Sequence, residues 1–225
     1  MKRKNLFCGL LAAVTLSCGL LLGGCGETKP EVSIALDGKT ITMEDTVQSC
    51  LDNGLITTDA QGNPETFDAA VFEAKTASFE TLHMGTSSEP HSSIVGLMLY
   101  NPESTAKSVN NCKIMKVFYY AEKDNSGNAP FTVNGIDFWG MTEQEAAAAL
   151  EEQGFAVSLD EEYHYIVTSG SGNTTISIDF ETGDCFENAS TGTPQKKEVS
   201  FDASTYYVSE VKVDISGKLN IDMSN

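Results

Sequence analysis

One local pattern occurs twice in this chain of 225 residues, about one hundred positions apart, and it limits the possible folds more than any other feature. In the first copy Val32-Ser33-Ile34-Ala35-Leu36 alternates and runs into Asp37-Gly38, the signature of a strand entering a tight turn. Thr42 is then placed to cap a helix, with Asp45 three residues on to complete a capping box. Met43, Val47, Cys50 and Leu51 share one face at helical spacing, and Asn53-Gly54 stops the helix so that Leu55 folds back on it. In the second copy Phe131-Thr132-Val133 runs into Asn134-Gly135, and Thr142-Glu143-Gln144-Glu145 is a capping box. Ala146, Ala149 and Leu150 make the apolar face, Gln153-Gly154 the stop, and Phe155 the residue that folds back. Thr42 answers Thr142, Asp45 answers Glu145, Cys50 answers Leu150, and Gly54-Leu55 answers Gly154-Phe155. The shared order and constant offset favour duplication over coincidence.

The predicted class is therefore α+β: two tandem repeats, each a short capped helix packed on an antiparallel sheet. The units are expected over residues 32–123 and 130–225, with a seam at 122–130 rich in Asp, Asn, Ser and Gly. Strand-like segments follow each helix, at 78–84, 93–100 and 112–120, then at 155–159, 163–168, 174–180, 185–187 and 206–215. Glu181-Thr182-Gly183-Asp184 reads as a hairpin turn, Ser169 to Asn173 as a looser one, and Phe67 to Ala74 as a helical turn. The tail from Ser216 reads as a short strand or a frayed end.

The N-terminus carries a different kind of signal. Lys2, Arg3 and Lys4 precede an uncharged run from Leu6 to Leu22, the layout of a secretory signal. A membrane-spanning helix needs ~20 apolar residues. This run holds Gly9 and Gly19, ends at Gly23-Gly24, and is followed by nothing basic enough to stop transfer. Leu22-Gly23-Gly24-Cys25 resembles the lipobox of bacterial lipoproteins, a Leu and two small residues before the cysteine that takes the lipid. The resemblance implies a signal peptide over 1–24, acylation of Cys25, and a tether over 25–31 that holds the protein close to the outer side of the cell membrane. Two acyl chains suffice for stable anchoring.

Removal of that signal would leave 201 residues, enough for one domain or two small ones. The signal has three basic residues and no acid, so the remainder carries −21, against −18 for the whole chain. So negative a surface argues against nucleic acid and anionic head groups as partners, because both need basic patches. An apolar content of 40% excludes wholesale disorder. Cys50, Cys112 and Cys185 remain after Cys25. Export permits a disulfide between two of them, but their spacing suggests no framework and no zinc site, which favours buried, reduced thiols.

The stretch Asn134-Gly135-Ile136-Asp137-Phe138-Trp139-Gly140-Met141-Thr142-Glu143-Gln144-Glu145-Ala146 resembles the helix start of beta-lactamase-inhibitor-like and small outer-membrane-assembly lipoprotein modules. Leu99-Tyr100-Asn101-Pro102, followed by Asn111-Cys112-Lys113-Ile114, is similar to uncharacterised surface lipoproteins of Gram-positive gut bacteria of the Firmicutes type. Gly154-Phe155-Ala156 stands where the first group has Gly-x-Pro. The resemblance implies a helix on an antiparallel sheet, sometimes in tandem, and a role in binding proteins or scaffolding envelope complexes.

Catalytic patterns are sparse. His83 and His91 flank a flexible loop and are the best candidates for metal ligands, but no H-E-x-x-H or second cluster accompanies them, and no metal or cofactor is expected. Gly170-Ser171-Gly172 lacks the context of a nucleophile elbow, and Asp160-Glu161-Glu162 reads as a solvated turn. Asp124 to Asn128 lacks the ligand order of a calcium loop. Cys50 reads as core and Cys185 as a hairpin residue. Phe138 and Trp139 precede a helix, and one ring of each strand pair, Tyr119-Tyr120 and Tyr206-Tyr207, must face outward because side chains alternate. Trp139, Phe138, Tyr119 and Tyr207 are the candidate interface residues, since exposed aromatics often anchor interfaces. These features point to a lipid-anchored, non-enzymatic extracytoplasmic module that binds a protein or an envelope component. A solute-binding lipoprotein of a transporter is the alternative, and a hydrolase with scattered residues ranks behind it.

Overall fold

The computed structural model describes residues 29–60, 62–65, 71–78, 81–86, 94–121, 131–187 and 200–219. The expected signal peptide, Leu22, Gly23, Gly24, Cys25 and residues 25–28 of the tether lie outside the described residues, as do His91, Asp124 to Asn128 and residues 220–225 of the tail. Among the described residues no helix is long and apolar enough to cross a membrane.

The chain is α+β, mostly antiparallel sheet with few helices. Its first part has strands β1 (Ile34–Leu36), β2 (Lys39–Ile41), β3 (Ile56–Thr58), β4 (Val71–Phe72), β5 (Leu82–Gly85), β6 (Ile94–Tyr100), β7 (Lys107–Ser108) and β8 (Lys113–Tyr120), with helix α1 (Val47–Asp52) after β2. Beyond residue 130 come β9 (Phe131–Val133), β10 (Ile136–Asp137), α2 (Glu143–Glu152), β11 (Val157–Asp160), β12 (Tyr165–Ser169), β13 (Thr175–Thr182), α3 (Gly183–Glu187) and β14 (Tyr206–Asp214). A four-stranded sheet has the order β10-β9-β1-β2, and an eight-stranded sheet the order β11-β12-β13-β14-β8-β6-β5-β3. In each sheet, strands from before residue 121 fill one half and strands from after residue 130 the other. They join at the β9–β1 and β14–β8 pairs.

The hairpins β1–β2 and β9–β10 turn on Asp37-Gly38 and Asn134-Gly135, and all four of these residues have positive φ (50°, 74°, 51° and 79°). Two successive left-handed residues match the twist of a two-residue hairpin, which is why Asp or Asn followed by Gly stands there. The Asn134 side chain also holds the chain's entry. It accepts from the Ser33 N–H at 2.7 Å and donates to the Glu31 carbonyl at 2.9 Å. Lys29 Nζ donates to Ser169 Oγ at 2.7 Å, and the Ser171 N–H donates to the Pro30 carbonyl at 2.7 Å.

Alternate residues of the strands build one main apolar core. Ile34, Leu36, Phe131 and Val133 of the small sheet meet Val117, Tyr119, Val211 and Val213 of the large one. Val47 and Cys50 of α1 and Ala146 and Leu150 of α2 close the same cluster. Each fully buried Val or Leu contributes about 1.5–3 kcal/mol.

Four expectations are corrected. Helix α1 starts at Val47, with Thr46 as its cap and Ser49 completing the box, one turn later than expected. Thr42 and Asp45 do bond each other, through the Thr42 N–H and hydroxyl to Asp45 Oδ2 at 2.7 and 2.9 Å, as Thr142 bonds Glu145 Oε2 at 2.9 and 3.0 Å. Each cap residue also forms a bridge, Thr46 with Lys113 and Thr142 with Tyr207, so Thr46 and not Thr42 holds the place that Thr142 holds in the second half. Val71 and Phe72 are strand rather than helix, paired with Ser108 and Lys107. The 181–184 hairpin turn and the 185–187 strand are absent: β13 runs on to Thr182, and α3 begins at Gly183. Gly183 lies so close to the Asp202 carbonyl that a Cβ would meet its oxygen at 2.2 Å, so this glycine serves a close approach and not a turn. The tail after Ile215 makes a single 3-10 turn, Ser216–Lys218, instead of a strand.

Candidate functional site

Directly opposed residues of antiparallel strands project to the same side, so the register sorts the large sheet into rows. Leu159, Ile166, Ile178, Val211 and Tyr119 form one row, and Val157, Thr168, Ile176, Val213, Val117, Leu97 and Leu82 another. These rows face the core. The rows between them face away from it: Asp160, Tyr165, Asp179, Glu210 and Tyr120; Ser158, Val167, Ser177, Lys212 and Phe118; Ser169, Thr175, Asp214, Lys116 and Met98. Every one of these outward residues is exposed or half-buried. This broad outward face, built from both halves of the chain, is the candidate site.

Its centre is a charged cluster flanked by rings. Lys212 Nζ lies 2.6 Å from Asp179 Oδ2 and 2.8 Å from Glu210 Oε2, and Lys116 pairs with Asp214 at 2.8 Å. Burial raises the Glu210 carboxyl above the ordinary glutamate range, and a hydrogen bond with Asp179 adds to this against the pull of Lys212. Burial opposes the charge on Lys212, but its bonds to Asp179 and Glu210 outweigh that and hold the ammonium above the usual lysine value. Tyr165 and Tyr120 stand in one row three strand spacings apart, about 14 Å. Tyr120 is 45% exposed. Beyond Tyr165, Tyr163 is 70% exposed, its ring centroid 6.5 Å from that of Tyr165. The face thus offers ring surfaces at its flanks and fixed charges between them.

The four aromatics proposed for an interface are not on this face. Tyr119, Phe138, Trp139 and Tyr207 are 2%, 1%, 3% and 7% exposed. Tyr119 stacks on Phe131, and Trp139 and Tyr207 pack edge-on against Phe201. Alternation does put one ring of the Tyr119-Tyr120 pair outward, but it is Tyr120. Trp139 is buried because Phe201, far along the chain, comes back to cover it, and no local pattern announces that.

The cysteines divide. Cys50 and Cys112 are buried and Cys185 is exposed, all three as free thiols, so burial of all three is corrected at Cys185. It sits on α3, where helical geometry turns it outward instead of the expected hairpin. Burial pushes the Cys50 thiol up to about 12 and raises Cys112 as well.

One constellation had no signal in the sequence. His164, at φ 51° in the β11–β12 turn, places Nδ1 2.5 Å from Glu143 Oε1 and stacks on Tyr206 with ring centroids 3.4 Å apart. Its residues are far apart in sequence and meet only through strand pairing. Burial lowers His83 from the ordinary histidine value. Among the described residues, no three His, Cys, Asp or Glu side chains converge as a metal ion would require.

Compared with known proteins, the chain matches no family model, no curated relative and no solved structure.

Proposed function

We propose that this chain is a lipid-anchored extracytoplasmic module, non-enzymatic, that binds or scaffolds a protein or another component of the cell envelope through the outward face of its long sheet. It is held to the membrane by a lipid on Cys25 after loss of residues 1–24, and its acidic surface excludes nucleic acid. Its body consists of two tandem copies of one unit, 32–123 and 130–225, each a hairpin, a capped helix and further antiparallel strands. The mirrored strand orders of the two sheets support that reading. So do the two capping boxes, Thr46 with Ser49 and Thr142 with Glu145, each with its threonine in a bridge to a strand of the long sheet.

The observation that carries the binding role is the continuous outward face, in which Tyr165 and Tyr120 flank the Asp179–Lys212–Glu210 cluster. Tyrosine is enriched in interfaces, and here Tyr120 is exposed and Tyr165 half-buried. Trp139, Phe138, Tyr119 and Tyr207 are buried, so in this proposal the docking rings are Tyr120 and Tyr165.

The test is site-specific photocrosslinking in intact cells producing the full chain, with the probe at Ser177, in the middle of the face. A discrete adduct, lost in Tyr120→Asp and Lys212→Glu variants that still fold, is the expected result. No adduct at Ser177, with the protein correctly anchored, would remove the docking role. Release of a Cys25→Ser variant into the medium tests the anchor separately.

A further inference from the structure

The edges of the two larger sheets are not alike. At β3, one edge of the long sheet, the chain covers its own strand: the Glu65 N–H donates to the Thr57 carbonyl at 3.0 Å, and Thr58 bridges to Pro64. At β2, an edge of the small sheet, Asn53 Nδ2 donates to the Thr40 carbonyl at 3.0 Å, and Lys39 Nζ donates to the Gly54 carbonyl. β10, the other edge of the small sheet, is only two residues long. β11, the far edge of the long sheet, has four residues, and no described residue pairs with its outer side.

The register fixes which backbone groups that edge presents. Residues of an antiparallel strand turn their N–H and C=O alternately to one neighbour and to the other. The Gly170 N–H donates to the Thr174 carbonyl and the Phe180 N–H to the His164 carbonyl, so the even-numbered residues of β12 bond towards β13. Tyr165 and Val167 therefore bond towards β11, where they meet Asp160 and Ser158. The N–H and C=O groups of Val157 and Leu159 are left pointing out of the sheet. No Pro, Lys or bulge blunts the strand at these positions.

The charge around this edge is of one sign. No Lys or Arg stands between Lys123 and Lys196, the stretch that supplies α2, β11, β12 and β13. Glu151 and Glu152 are exposed at the end of α2, shortly before β11, and Asp160, Glu161 and Glu162 lie at its other end. Of the cations on this side, Lys29 bonds Ser169, beyond the Val157 end, and Lys212 is held by Asp179 and Glu210. A second copy would set an acidic edge against itself, and like charges set opposite each other across strands are destabilising. Val157 and Leu159 turn their side chains towards the core and are half-buried, so a strand laid beside them gains apolar contact on that side. The alternate residues of that strand would stand on the outward side, in line with Asp160 and Tyr165. We propose that β11 takes an extended segment of a partner protein as a ninth strand of the long sheet, the segment alternating apolar residues with lysine or arginine.

The test follows amide hydrogen exchange of the full chain in lipid nanodiscs, residue by residue, by mass spectrometry with electron-transfer fragmentation. The probes are the peptide Lys-Val-Lys-Val-Lys-Val-Lys, the same peptide with its valines N-methylated, and Glu-Val-Glu-Val-Glu-Val-Glu. In the free protein the Ser158 amide should exchange slowly and those of Val157 and Leu159 fast. The lysine peptide should protect Val157 and Leu159 saturably. The N-methylated peptide, which lacks the donors, and the glutamate peptide should not. Asp160→Asn, Glu161→Gln and Glu162→Gln together should weaken the lysine peptide by roughly threefold to tenfold, the scale of a few exposed charge contacts. Protection of Val157 and Leu159 in the free chain, constant or growing with protein concentration, would mean an edge already filled or paired with a second copy, and would overturn the assignment. Equal protection by either control peptide, indifference to the triple variant, or no protection by the lysine peptide would overturn it as well. The outcome is separate from crosslinking at Ser177, because it reads the backbone of the edge strand and not the outward face.

Discussion

Tyr119 and Phe131 lie ring on ring, centroids 4.6 Å apart and planes 9° from parallel, one from the large sheet and one from the small. Both are buried, and the pair joins the two sheets at the seam of the two halves. Tyr119→Ala and Phe131→Ala should each lower unfolding free energy by about 3–5 kcal/mol. The double variant should lose less than the sum, because partners in contact share their interaction. Urea denaturation of the four proteins measures this, and strict additivity would mean the stack has no energy of its own.

The acid response of the outward face has a definite sign. The Glu210 carboxyl is raised in the folded state, chiefly by burial, so the folded protein holds that proton more tightly than the unfolded chain does. Its stabilisation is complete below the unfolded glutamate value of about 4.3 and is lost as pH rises through the folded value. Glu210→Gln should therefore flatten the decline of stability just above that pH, and Lys212→Met should push the Glu210 titration higher still. Carbon-detected titration of the side-chain carboxyls reads both. Glu44 runs the other way, since Lys113 lowers it, and its small contribution disappears on acidification.

Thiol chemistry should separate the three cysteines. At pH 8 a thiol at about 12 is thiolate in roughly one molecule in ten thousand, and Cys50 is buried besides. Iodoacetamide should label Cys185 in the native protein, and Cys50 and Cys112 only on unfolding. Peptide mapping by mass spectrometry distinguishes them, and fast native labelling of Cys50 would contradict the packing of α1.

Capping gives a matched pair of tests. Thr142→Ala removes the cap of α2 and should cost about 1 kcal/mol. Thr42→Ala should cost less, because the Thr42–Asp45 turn precedes a helix that Thr46 caps for itself. Thermal unfolding of the two variants, with Thr46→Ala as the third, ranks them. A Thr42 effect equal to that of Thr142 would mean the first turn behaves as part of α1.

The sequence patterns reached the local parts of this fold because those parts are governed by neighbours in the chain. Asp37-Gly38 and Asn134-Gly135 mark their hairpins through φ alone, and the Thr142–Glu145 box is complete within four residues. The errors fall where distant segments decide. Thr42 has the residues of a helix cap, but the cap in the fold is Thr46, which bridges to Lys113 as Thr142 bridges to Tyr207. Gly183 looks like a turn until Asp202 is packed against it. The candidate face was legible only as alternation. That one of two adjacent tyrosines must point outward is local, whereas the choice of Tyr120 rests on the pairing of β8 with β14. The His164–Glu143 contact spans two elements and left no trace in either.

The grip on the chain's entry has a mechanical consequence. Residues 30, 31 and 33 are held by Ser171 and Asn134, and the chain then passes directly into β1, an inner strand with antiparallel partners on both sides. A pull on the N-terminal end along the strand cannot peel β1 away bond by bond. It loads the ladders to β2 and β9 together, in shear, and passes the tension into both halves of the molecule at once. A chain tugged from that end should resist as a unit up to a sharp rupture force, with little gradual lengthening beforehand.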